Sequence, residues 1–339
     1  MSDIHELLSS LPLPSSPRVL FMGTPDFAVP SLRALHQWCT QRGGEVVAVV
    51  SQPDRPKGRG KRLQRTPVAA VADELKLPCF QWARLSQESY ESLVELKYDL
   101  AVVIAYGKIL PKRYLTLPLW GCINLHASLL PAYRGAAPIQ WAVINGEAVT
   151  GVSVMRLDEG MDTGPVAHTL ECVIEPNDHS ATLFLKLAEL SARALTEALD
   201  RWILPGKESA LRFVTQPTEG VSHAPMLSKQ DGLLDWSHAA VELESLCRGV
   251  NPWPGAQTET REGTLKVKNV RTVVEAELSE QQRSFPVGTV IALSSEGPVI
   301  RCGEGALILI EVQRPSKKST SGGRSEERRV GKECRSRWS

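Results

Sequence analysis

Polar side chains able to act on a carbonyl group are concentrated in one short segment, Asn124-Leu125-His126-Ala127-Ser128. The segment has the pattern of a strand, in which side chains two positions apart share a face. Asn124 and His126 therefore point to the same side, so that an amide donor stands beside an imidazole. Either residue taken singly is typical of a polar group that satisfies backbone at a strand end. Together they could donate hydrogen bonds to a developing oxyanion.

A carboxylate lies in a second segment, Gly160-Met161-Asp162-Thr163-Gly164, which follows a later strand. Alone, Asp162 would be an ordinary turn residue. At the same edge of a sheet, however, it would orient His126 and stabilise the protonated ring. Amide, imidazole and carboxylate then suit acyl transfer to an amine without a covalent enzyme intermediate. Ser128 is the competing nucleophile, but it lacks the glycine-flanked elbow of serine hydrolases, so we assign it at most a binding role.

These segments need a scaffold that brings strand ends together, and the chain from residue 17 alternates strand and helix patterns. Apolar, β-branched runs at residues 19–22, 45–51 and 99–105 are separated by stretches with helical periodicity. Such alternation predicts the α/β class, with a Rossmann-like, doubly wound parallel sheet. Ligands of such sheets lie beyond the carboxyl ends of the strands. A strand over residues 121–130 would carry Asn124 and His126 to that edge.

Two glycine-containing segments invite a nucleotide-binding interpretation but do not have the required spacing. The turn after the first strand, Gly23-Thr24-Pro25-Asp26, lacks the second glycine that admits a pyrophosphate. A nicotinamide enzyme is therefore disfavoured. Residues 57–62 lack the first glycine of a P-loop and place Arg62 where Ser or Thr is required.

The second of these segments belongs to a basic stretch between residues 55 and 65 that contains no acidic residue. A charge run is usually solvated surface. Its glycines, Pro56 and its place after the second strand also suit a mobile loop that could grip nucleic-acid phosphates or bases and order on binding. We assign this role to six residues: Arg55, Lys57, Arg59, Lys61, Arg62 and Arg65.

Composition divides the chain into successive parts. We expect a flexible N-terminal arm over residues 1–16, a catalytic domain over 17–205 and a Pro/Gly-rich linker over 206–225. Over residues 226–315, short strands separated by glycine turns are typical of small all-β barrels, a class that includes OB-like barrels that bind oligonucleotides. Residues 316–339 are expected to be disordered because they bury too little apolar surface.

The final 16 residues, 324–339, contain a single aliphatic side chain and have no pattern of a helix or a strand. We interpret them as a non-native, adapter-derived tail, with a native basic tail as the alternative. They hold six Lys/Arg and three Asp/Glu, so the net charge without them is −2 rather than +1. Any surface that binds nucleic acid must therefore be local.

The cysteines and the N-terminal segment bear on location and cofactors. None of the seven cysteines forms a Cys-x-x-Cys pair or a Cys/His cluster with zinc-ligand spacing, so we expect reduced thiols and no metal. No apolar run approaches the roughly 20 residues of a membrane span, and residues 1–17 lack the charge pattern of a signal. We expect a cytoplasmic protein that does not bind membranes and is a monomer.

Four segments together closely resemble the methionyl-tRNA formyltransferase family, and the likeness continues in order over about residues 17–315. They are Phe21-Met22-Gly23-Thr24-Pro25-Asp26-Phe27, Gln52-Pro53-Asp54-Arg55-Pro56, residues 124–138, and Leu157-Asp158-Glu159-Gly160-Met161-Asp162-Thr163-Gly164. The resemblance implies transfer of a formyl group from 10-formyltetrahydrofolate to the α-amino group of methionine esterified to initiator tRNA. No metal takes part.

The resemblance also implies roles for individual residues. It implies that Asn124, His126 and Asp162 form the catalytic trio. It implies that the basic loop recognises tRNA. It further implies that folate is contacted by the Ser-Leu-Leu-Pro segment, which consists of Ser128, Leu129, Leu130 and Pro131.

Two other functions are compatible with part of this pattern. The same folate chemistry could act on another amine, such as a glycinamide ribonucleotide or an amino-sugar nucleotide. Those enzymes need no basic loop, and the ribonucleotide enzyme needs no second domain. A non-catalytic tRNA-binding protein is the alternative from another class, but binding alone does not require Asn124, His126 and Asp162.

Overall fold

The computed structural model describes residues 12–57, 62–203, 211–260, 263–315 and 317–323. Contacts divide the chain into two compact units. The first comprises Met1–Pro138, Val149–Val173 and Phe184–Ala224, and the second comprises Ile139–Ala148, Ile174–Leu183 and Pro225–Ser339. Each unit contains its own sheet, and the residues predicted to be catalytic belong to the first.

The first unit is built on a mixed sheet. Its strands are β1 (Arg18–Gly23), β2 (Glu45–Val50), β3 (Arg55–Lys57), β4 (Arg62–Gln64), β5 (Cys79–Phe80), β6 (Leu100–Ile104), β7 (Cys122–His126), β8 (Val149–Arg156) and β9 (Val166–Val173). Seven form one sheet in the order β5-β2-β1-β6-β7-β8-β9, and β3 pairs with β4 as a separate hairpin. The strands β5, β2, β1, β6 and β7 are parallel, whereas β8 is antiparallel to both of its neighbours, β7 and β9.

The Rossmann-like α/β class with a parallel sheet is thus confirmed, and the structure adds one strand, β8, that runs against its two neighbours. The sequence does not reveal this reversal, because strand direction leaves no mark on the alternation of apolar and polar side chains. The strand β9 was also missed, because its partly exposed residues do not form an apolar run.

Helices connect these strands, and several begin where the sequence provides a cap. They are α1 (Val29–Gln41), α2 (Pro67–Glu74), α3 (Gln87–Glu95), α4 (Lys112–Leu115), α5 (Pro138–Ile144) and α6 (Ser180–Ile203). The side chain of Thr66 accepts a hydrogen bond from the Ala69 amide, and Pro67 supplies the first helical residue of α2. Ser86 caps α3 in the same way. Caps of this kind satisfy amides that lack a partner inside the helix.

The second unit contains an antiparallel sheet, as the strand texture predicts. Its strands are β10 (Ala256–Thr260), β11 (Gly263–Val273), β12 (Val290–Leu293), β13 (Pro298–Arg301), β14 (Ala306–Gln313) and β15 (Thr320–Ser321). They follow the order β10-β11-β14-β13-β12, with β15 beside β14. Two helices accompany them, α7 (Ala240–Gly249) and α8 (Glu280–Arg283). A C-terminal antiparallel β domain is confirmed.

The last strand changes the expected end of this domain. Backbone pairing joins Val312 to Thr320 and Glu311 to Ser321, so the sheet extends beyond residue 315. The expectation of disorder from residue 316 is therefore wrong for this strand, because edge pairing can order polar residues that bury little apolar surface. Residues 324–339, interpreted as an adapter-derived tail, lie outside the described residues.

Alternating side chains of β14 contribute to two separate apolar clusters. Leu307 and Leu309 pack in a cluster with Trp236 and Leu243, whereas Ile308 packs in a second cluster beyond the opposite face. This is the two-residue periodicity of a strand covered on both sides. The core of the second unit therefore depends on β14.

Residues 211–224 form part of the first unit rather than the expected linker. The backbone amide and carbonyl of Val214 pair with Val166 on β9, and Ala224 exchanges hydrogen bonds with Arg134 and Ala137. We call residues 211–224 the strap. Its Pro/Gly-rich composition suggested a linker because composition does not reveal backbone pairing; residues 204–210 lie outside the described residues.

Truncation of Leu307 should destabilise the second unit. Leu307 is fully buried, so Leu307→Ala removes packed methyl groups and leaves a cavity, at a cost of about 2–5 kcal/mol. Leu293→Ala is the matched control, because Leu293 is 59% exposed on the same sheet and should change stability by no more than about 0.5 kcal/mol. Urea-induced unfolding followed by circular dichroism measures both values. Equal costs would contradict this description of the core.

Candidate active site

Asn124 and His126 lie at the carboxyl end of β7, near the middle of the sheet. Val103 on β6 pairs with Asn124 from one side, and Ser153 on β8 pairs with His126 from the other. His126 is buried, whereas Asn124 is half-buried. Within the described part of the chain, the Asn124 side chain makes no hydrogen bond. Its amide donors are available to a bound carbonyl oxygen.

The His126 ring is oriented from both of its nitrogens. Its Nε2 lies 2.8 Å from the carbonyl oxygen of Tyr133, and its Nδ1 lies 3.7 Å from Oδ2 of Asp162. Because a carbonyl oxygen only accepts, Nε2 carries the proton of this hydrogen bond. The distance to Asp162 exceeds hydrogen-bond length but suits attraction between a carboxylate and a protonated ring. Two chain segments predicted separately to bear the trio thus meet at one place.

The turn that presents Asp162 is shaped by its own sequence. Oδ1 of Asp158 accepts hydrogen bonds from the Gly160 amide at 3.0 Å and the Thr163 hydroxyl at 2.7 Å. A Cβ atom at Gly164 would lie 1.9 Å from the carbonyl oxygen of Arg156, so no larger residue fits. The spacing Asp-x-Gly-x-Asp-Thr-Gly therefore builds a tight turn with a carboxylate at its tip.

Backbone strain is concentrated near these side chains. Asp162, Tyr133 and Ala105 have positive φ angles of 55°, 61° and 47° respectively. All three are in loops that follow β6, β7 or β8. The left-handed conformation costs a residue with a side chain about 1–2 kcal/mol, and it persists where neighbouring contacts enforce it. The conformations of these loops are thus maintained by tertiary contacts.

The strap supplies those contacts through Gln216, a buried residue that the sequence interpretation missed. Its Oε1 accepts from Nε and Nη2 of Arg134, at 3.0 and 2.6 Å. Its Nε2 donates to the carbonyl oxygens of Asp162 and Gly164, at 2.9 and 2.7 Å. The Asp162 carboxylate in turn accepts from the Gly135 amide at 2.9 Å. One amide side chain therefore ties the loop after β7 to the turn after β8.

Two further contacts anchor the strap. The Ser222 hydroxyl accepts from the Tyr133 amide at 2.8 Å. The guanidinium carbon of Arg156 lies 4.4 Å from the centre of the Phe213 ring, a cation–π contact at the end of β8. Burial lowers the pKa of Arg156 to about 10. In the sequence, Gln216 stands out only as an amide residue within a polar stretch.

The Ser-Leu-Leu-Pro segment has two different environments. Ser128 is fully buried, and its hydroxyl donates to the carbonyl oxygen of Ala132 at 2.6 Å. Ser153 donates to the Ser128 carbonyl oxygen and accepts from the Leu130 amide. In this conformation, Ser128 shapes the turn and is not accessible for the expected contact with folate. Leu129, Leu130 and Pro131 are half-buried, and their contact with folate stays a prediction.

The basic stretch forms part of a hairpin rather than an irregular loop, since β3 and β4 pair with each other. Arg55 is exposed, whereas Arg65 makes two 2.8 Å hydrogen bonds to the Asp73 carboxylate. These bonds raise the pKa of Arg65 and lower that of Asp73. An acid from α2 thus partly neutralises this end of the stretch. Arg59 and Lys61 lie outside the described residues.

Four of the described thiols are buried, those of Cys39, Cys122, Cys247 and Cys302, whereas Cys79 and Cys172 are half-buried. Burial raises the pKa of Cys122 and of Cys39 to about 12. Among the residues that the structure describes, no three His, Cys, Asp or Glu side chains are grouped to hold a metal ion. Over the same residues, no helix has the length and hydropathy of a membrane span.

The chain is similar to known proteins in both of its parts. Residues 17–199 match the model of the family Formyl transferase, and residues 226–324 match that of Formyl transferase, C-terminal domain. Methionyl-tRNA formyltransferase from Desulfotalea psychrophila is 46% identical over 302 residues, 89% of each chain. That from Myxococcus xanthus is 44% identical over 305 residues, 90% of this chain and 92% of the relative.

A solved structure shares the fold at low identity. It is the N-formyltransferase from Helicobacter canadensis in complex with folinic acid and dTDP-3-aminofucose. Its TM-score is 0.61 at 14% identity, with 86% of this chain and 98% of that chain covered. The motif resemblance is thus confirmed over most of the sequence, and the chain belongs to the formyl transferase family.

Proposed function

We propose that this protein transfers the formyl group of 10-formyltetrahydrofolate to the α-amino group of methionyl initiator tRNA. The product is N-formylmethionyl-tRNA for translation initiation. The observation that carries this proposal is the approach of Asp162 to His126, beside Asn124, in a chain 46% identical to a methionyl-tRNA formyltransferase. A substrate of this kind also accounts for a second domain and a basic hairpin.

The reaction replaces one carbon–nitrogen bond by another. The methionyl nitrogen attacks the formyl carbon, and the bond between that carbon and N10 of the folate breaks. The amine loses one proton and N10 gains one, leaving formylated amine and tetrahydrofolate. Negative charge develops on the formyl oxygen as the nitrogen attacks, so the protein must supply hydrogen-bond donors there.

Asn124 and His126 are proposed to supply those donors. Among the described residues the Asn124 amide has no partner, and the His126 ring, whose Nε2 already donates to Tyr133, can donate through Nδ1 when both ring nitrogens carry a proton. Asp162 stabilises the positive charge on the ring and can receive the amine proton through water. This assignment supports the trio inferred from the sequence, and it uses no thiol, serine nucleophile or metal.

Exposed apolar side chains near the trio suit the aromatic rings of a folate. Ile109, in the loop after β6, is 79% exposed, and Met161, next to Asp162, is 63% exposed. Leu129, Leu130 and Pro131 contribute further apolar surface on the loop after β7. Mostly apolar walls with a few polar groups are typical of small-molecule sites. We therefore include these loops in the proposed folate site.

The basic hairpin is proposed to contact tRNA phosphates. Its assigned residues are Arg55, Lys57, Arg59, Lys61, Arg62 and Arg65, with Arg65 partly neutralised by Asp73. Burial, and then the nearby charge of Arg55, lower the pKa of Lys108 in the loop after β6. Positive charge therefore extends from the hairpin toward the catalytic edge. We also propose that the protein acts in the cytoplasm as a monomer.

A direct assay tests the proposed function. The protein is incubated with 10-formyltetrahydrofolate and, in parallel, with charged initiator tRNA, glycinamide ribonucleotide or an amino-sugar nucleotide. We expect formylation of the tRNA. Formylation of either small amine without formylation of the tRNA would overturn the proposal in favour of that substrate.

Replacing His126 should remove much of the oxyanion stabilisation. We expect His126→Ala to lower kcat roughly 100-fold, with folding retained, and Asp162→Asn to cause a severe loss. His238→Ala is a control, because His238 is 59% exposed in the second unit. Single-turnover formylation measures these effects. Near-normal turnover by His126→Ala would remove this residue from the mechanism.

Replacing Gln216 should loosen Asp162 without touching the substrate. We expect Gln216→Leu to speed amide exchange at Gly135 and lower kcat roughly 10- to 100-fold, because small displacements at reacting groups are costly. Gln216→Glu tests the two sets of hydrogen bonds separately, because a glutamate can accept from Arg134 but cannot donate to the Asp162 carbonyl. We expect this variant also to have a lower kcat. Gln37→Leu, at an exposed position of α1, is the control. Full activity with unchanged exchange in Gln216→Leu would contradict this positioning role.

Removing the charge of Arg55 should change the salt dependence of tRNA use. We expect Arg55→Gln to reduce the slope of log(kcat/KM) against log[salt] by about 0.7–0.9, the amount lost with one phosphate contact. Arg33→Gln is the matched control, since Arg33 is exposed on α1 and pairs with Glu74. Identical slopes for Arg55→Gln and the unmodified protein would exclude a phosphate contact by Arg55.

A further inference from the structure

A cavity of about 480 Å³ lies in the first unit beyond the carboxyl ends of β1, β2 and β6. The chain leaves β1 toward β2 on one side, while β6 flanks β1 on the other. The cavity is therefore at the switch point where open α/β sheets bind their ligands. None of the trio is among its walls, which include Thr24, Gln52 and Arg55.

The polar character of the cavity centres on Gln52. This residue is only 7% exposed, yet its side-chain Nε2 has no hydrogen-bond partner. Its backbone is well held, since its amide donates to Thr24 and its carbonyl accepts from Gln81. A buried amide without a partner costs free energy unless a ligand satisfies it. The backbone of Gln52 is thus held by two hydrogen bonds, while its unpartnered side-chain amide can be satisfied by the polar edge of a ligand.

The adjacent Tyr106 presents a similar unsatisfied group. Tyr106 is 2% exposed, its hydroxyl oxygen has no partner, and its backbone carbonyl accepts from the Thr24 hydroxyl. Arg55 and Arg65 line the same cavity, so positive charge accompanies the amide. Proline rings from Pro25, Pro53 and Pro56 supply flat apolar surface. An aromatic base with a nearby phosphate would use all three kinds of group.

We infer that this cavity binds the terminal adenosine of the aminoacyl-tRNA, an inference that rests on the proposed function. Gln and Asn side chains recognise adenine through paired donor and acceptor contacts with its N6 and N7 edge. Gln52 reads the base, the prolines pack against its face, and Arg55 meets the phosphate.

The distance from the cavity to the trio fits this occupant. In neighbouring strands, Met22 and Asn124 flank Val103 from opposite sides. The strands β1 and β7 are therefore two spacings apart, about 10 Å. An adenosine beyond β1 can then carry its ribose ester across β6 and present the methionyl amine at Asn124 and His126. The basic hairpin, next to the cavity in the sequence, meets the preceding nucleotides.

Nucleotide binding tests the inference independently of turnover. Adenosine 5′-monophosphate and cytidine 5′-monophosphate are titrated into the full chain by calorimetry. We expect the adenine nucleotide to bind at least roughly 10-fold more tightly, since one paired base contact contributes discrimination of that order. We also expect it to compete with methionyl-tRNA but not with the folate. Equal affinities, or competition with the folate alone, would overturn the inference.

Variants locate the discrimination. Gln52→Leu should abolish the preference for the adenine nucleotide and raise KM for methionyl-tRNA roughly 10-fold, with KM for the folate unchanged. Gln37→Leu, the same change at an exposed position, should alter neither. An unchanged preference in Gln52→Leu would overturn the inference. Displacement of the bound adenine nucleotide by methionine amide alone would also overturn the inference, because it would assign the cavity to the methionine side chain.

The two proposals fail in distinguishable ways. Absence of formylated tRNA with the unmodified protein, despite adenine-specific binding, would reject the proposed acceptor and with it the aminoacyl-adenosine assignment. Formylated tRNA without adenine preference would reject the cavity assignment alone. A thermal unfolding transition of Gln52→Leu that matches the unmodified protein excludes misfolding as the source of a raised KM.

Discussion

The hydrogen bonds of Gln216 hold together two loops that the sheet itself does not join. Because β8 runs against β7, its end lies beside the start of β7, and the following turn must return to the catalytic edge. The hydrogen bonds between the strands do not determine how closely this turn approaches the catalytic edge. Gln216 supplies that limit through carbonyl groups of Asp162 and Gly164, while its oxygen is occupied by Arg134. Together with the bond from the Gly135 amide to the Asp162 carboxylate, this bridge joins the turn that carries Asp162 to the loop that follows His126.

Such a bridge also explains where the chain is strained. Asp162 and Tyr133 adopt left-handed conformations in the two loops that meet at the site. Hydrogen bonds from neighbouring residues hold each conformation. Asp162 is bonded by Gln216 and the Gly135 amide. Tyr133 is bonded by the Ser222 hydroxyl and His126. Strain balanced by several fixed hydrogen bonds produces a preorganised site, in which donors need not reorganise as charge develops. The catalytic edge is therefore rigid where chemistry is proposed and polar where a ligand would bind.

The groups proposed for acceptor recognition lie on other elements than the proposed catalytic trio. The trio is formed by β7 and one turn, whereas the basic hairpin and the Gln52 cavity follow β2. This separation suits a macromolecular substrate that must be gripped at a distance from its reacting amine. It is also consistent with the charge of the sequence, which is nearly balanced overall although residues 55–65 contain six basic and no acidic residues. Local charge then steers binding without making the whole surface basic.

The sequence by itself determined the class of the first domain, the antiparallel C-terminal domain and the membership of the family. Apolar, β-branched runs identified β1, β2 and β6, and the strand over residues 121–130 corresponds to β7, since such patterns are local properties of the sequence. The trio was inferred from residue types at strand ends.

Only the tertiary structure decided the reversed direction of β8, the course of the strap and the burial of Ser128. Direction leaves no trace in apolar alternation. The strap has linker composition because its stability comes from hydrogen bonds to residues about 50–90 positions away, such as Gln216 to Asp162 and Ser222 to Tyr133. The cavity beside Gln52 likewise requires three strands to be neighbours in space. Local patterns encode elements, whereas long-range pairing decides which of their polar groups remain available for chemistry.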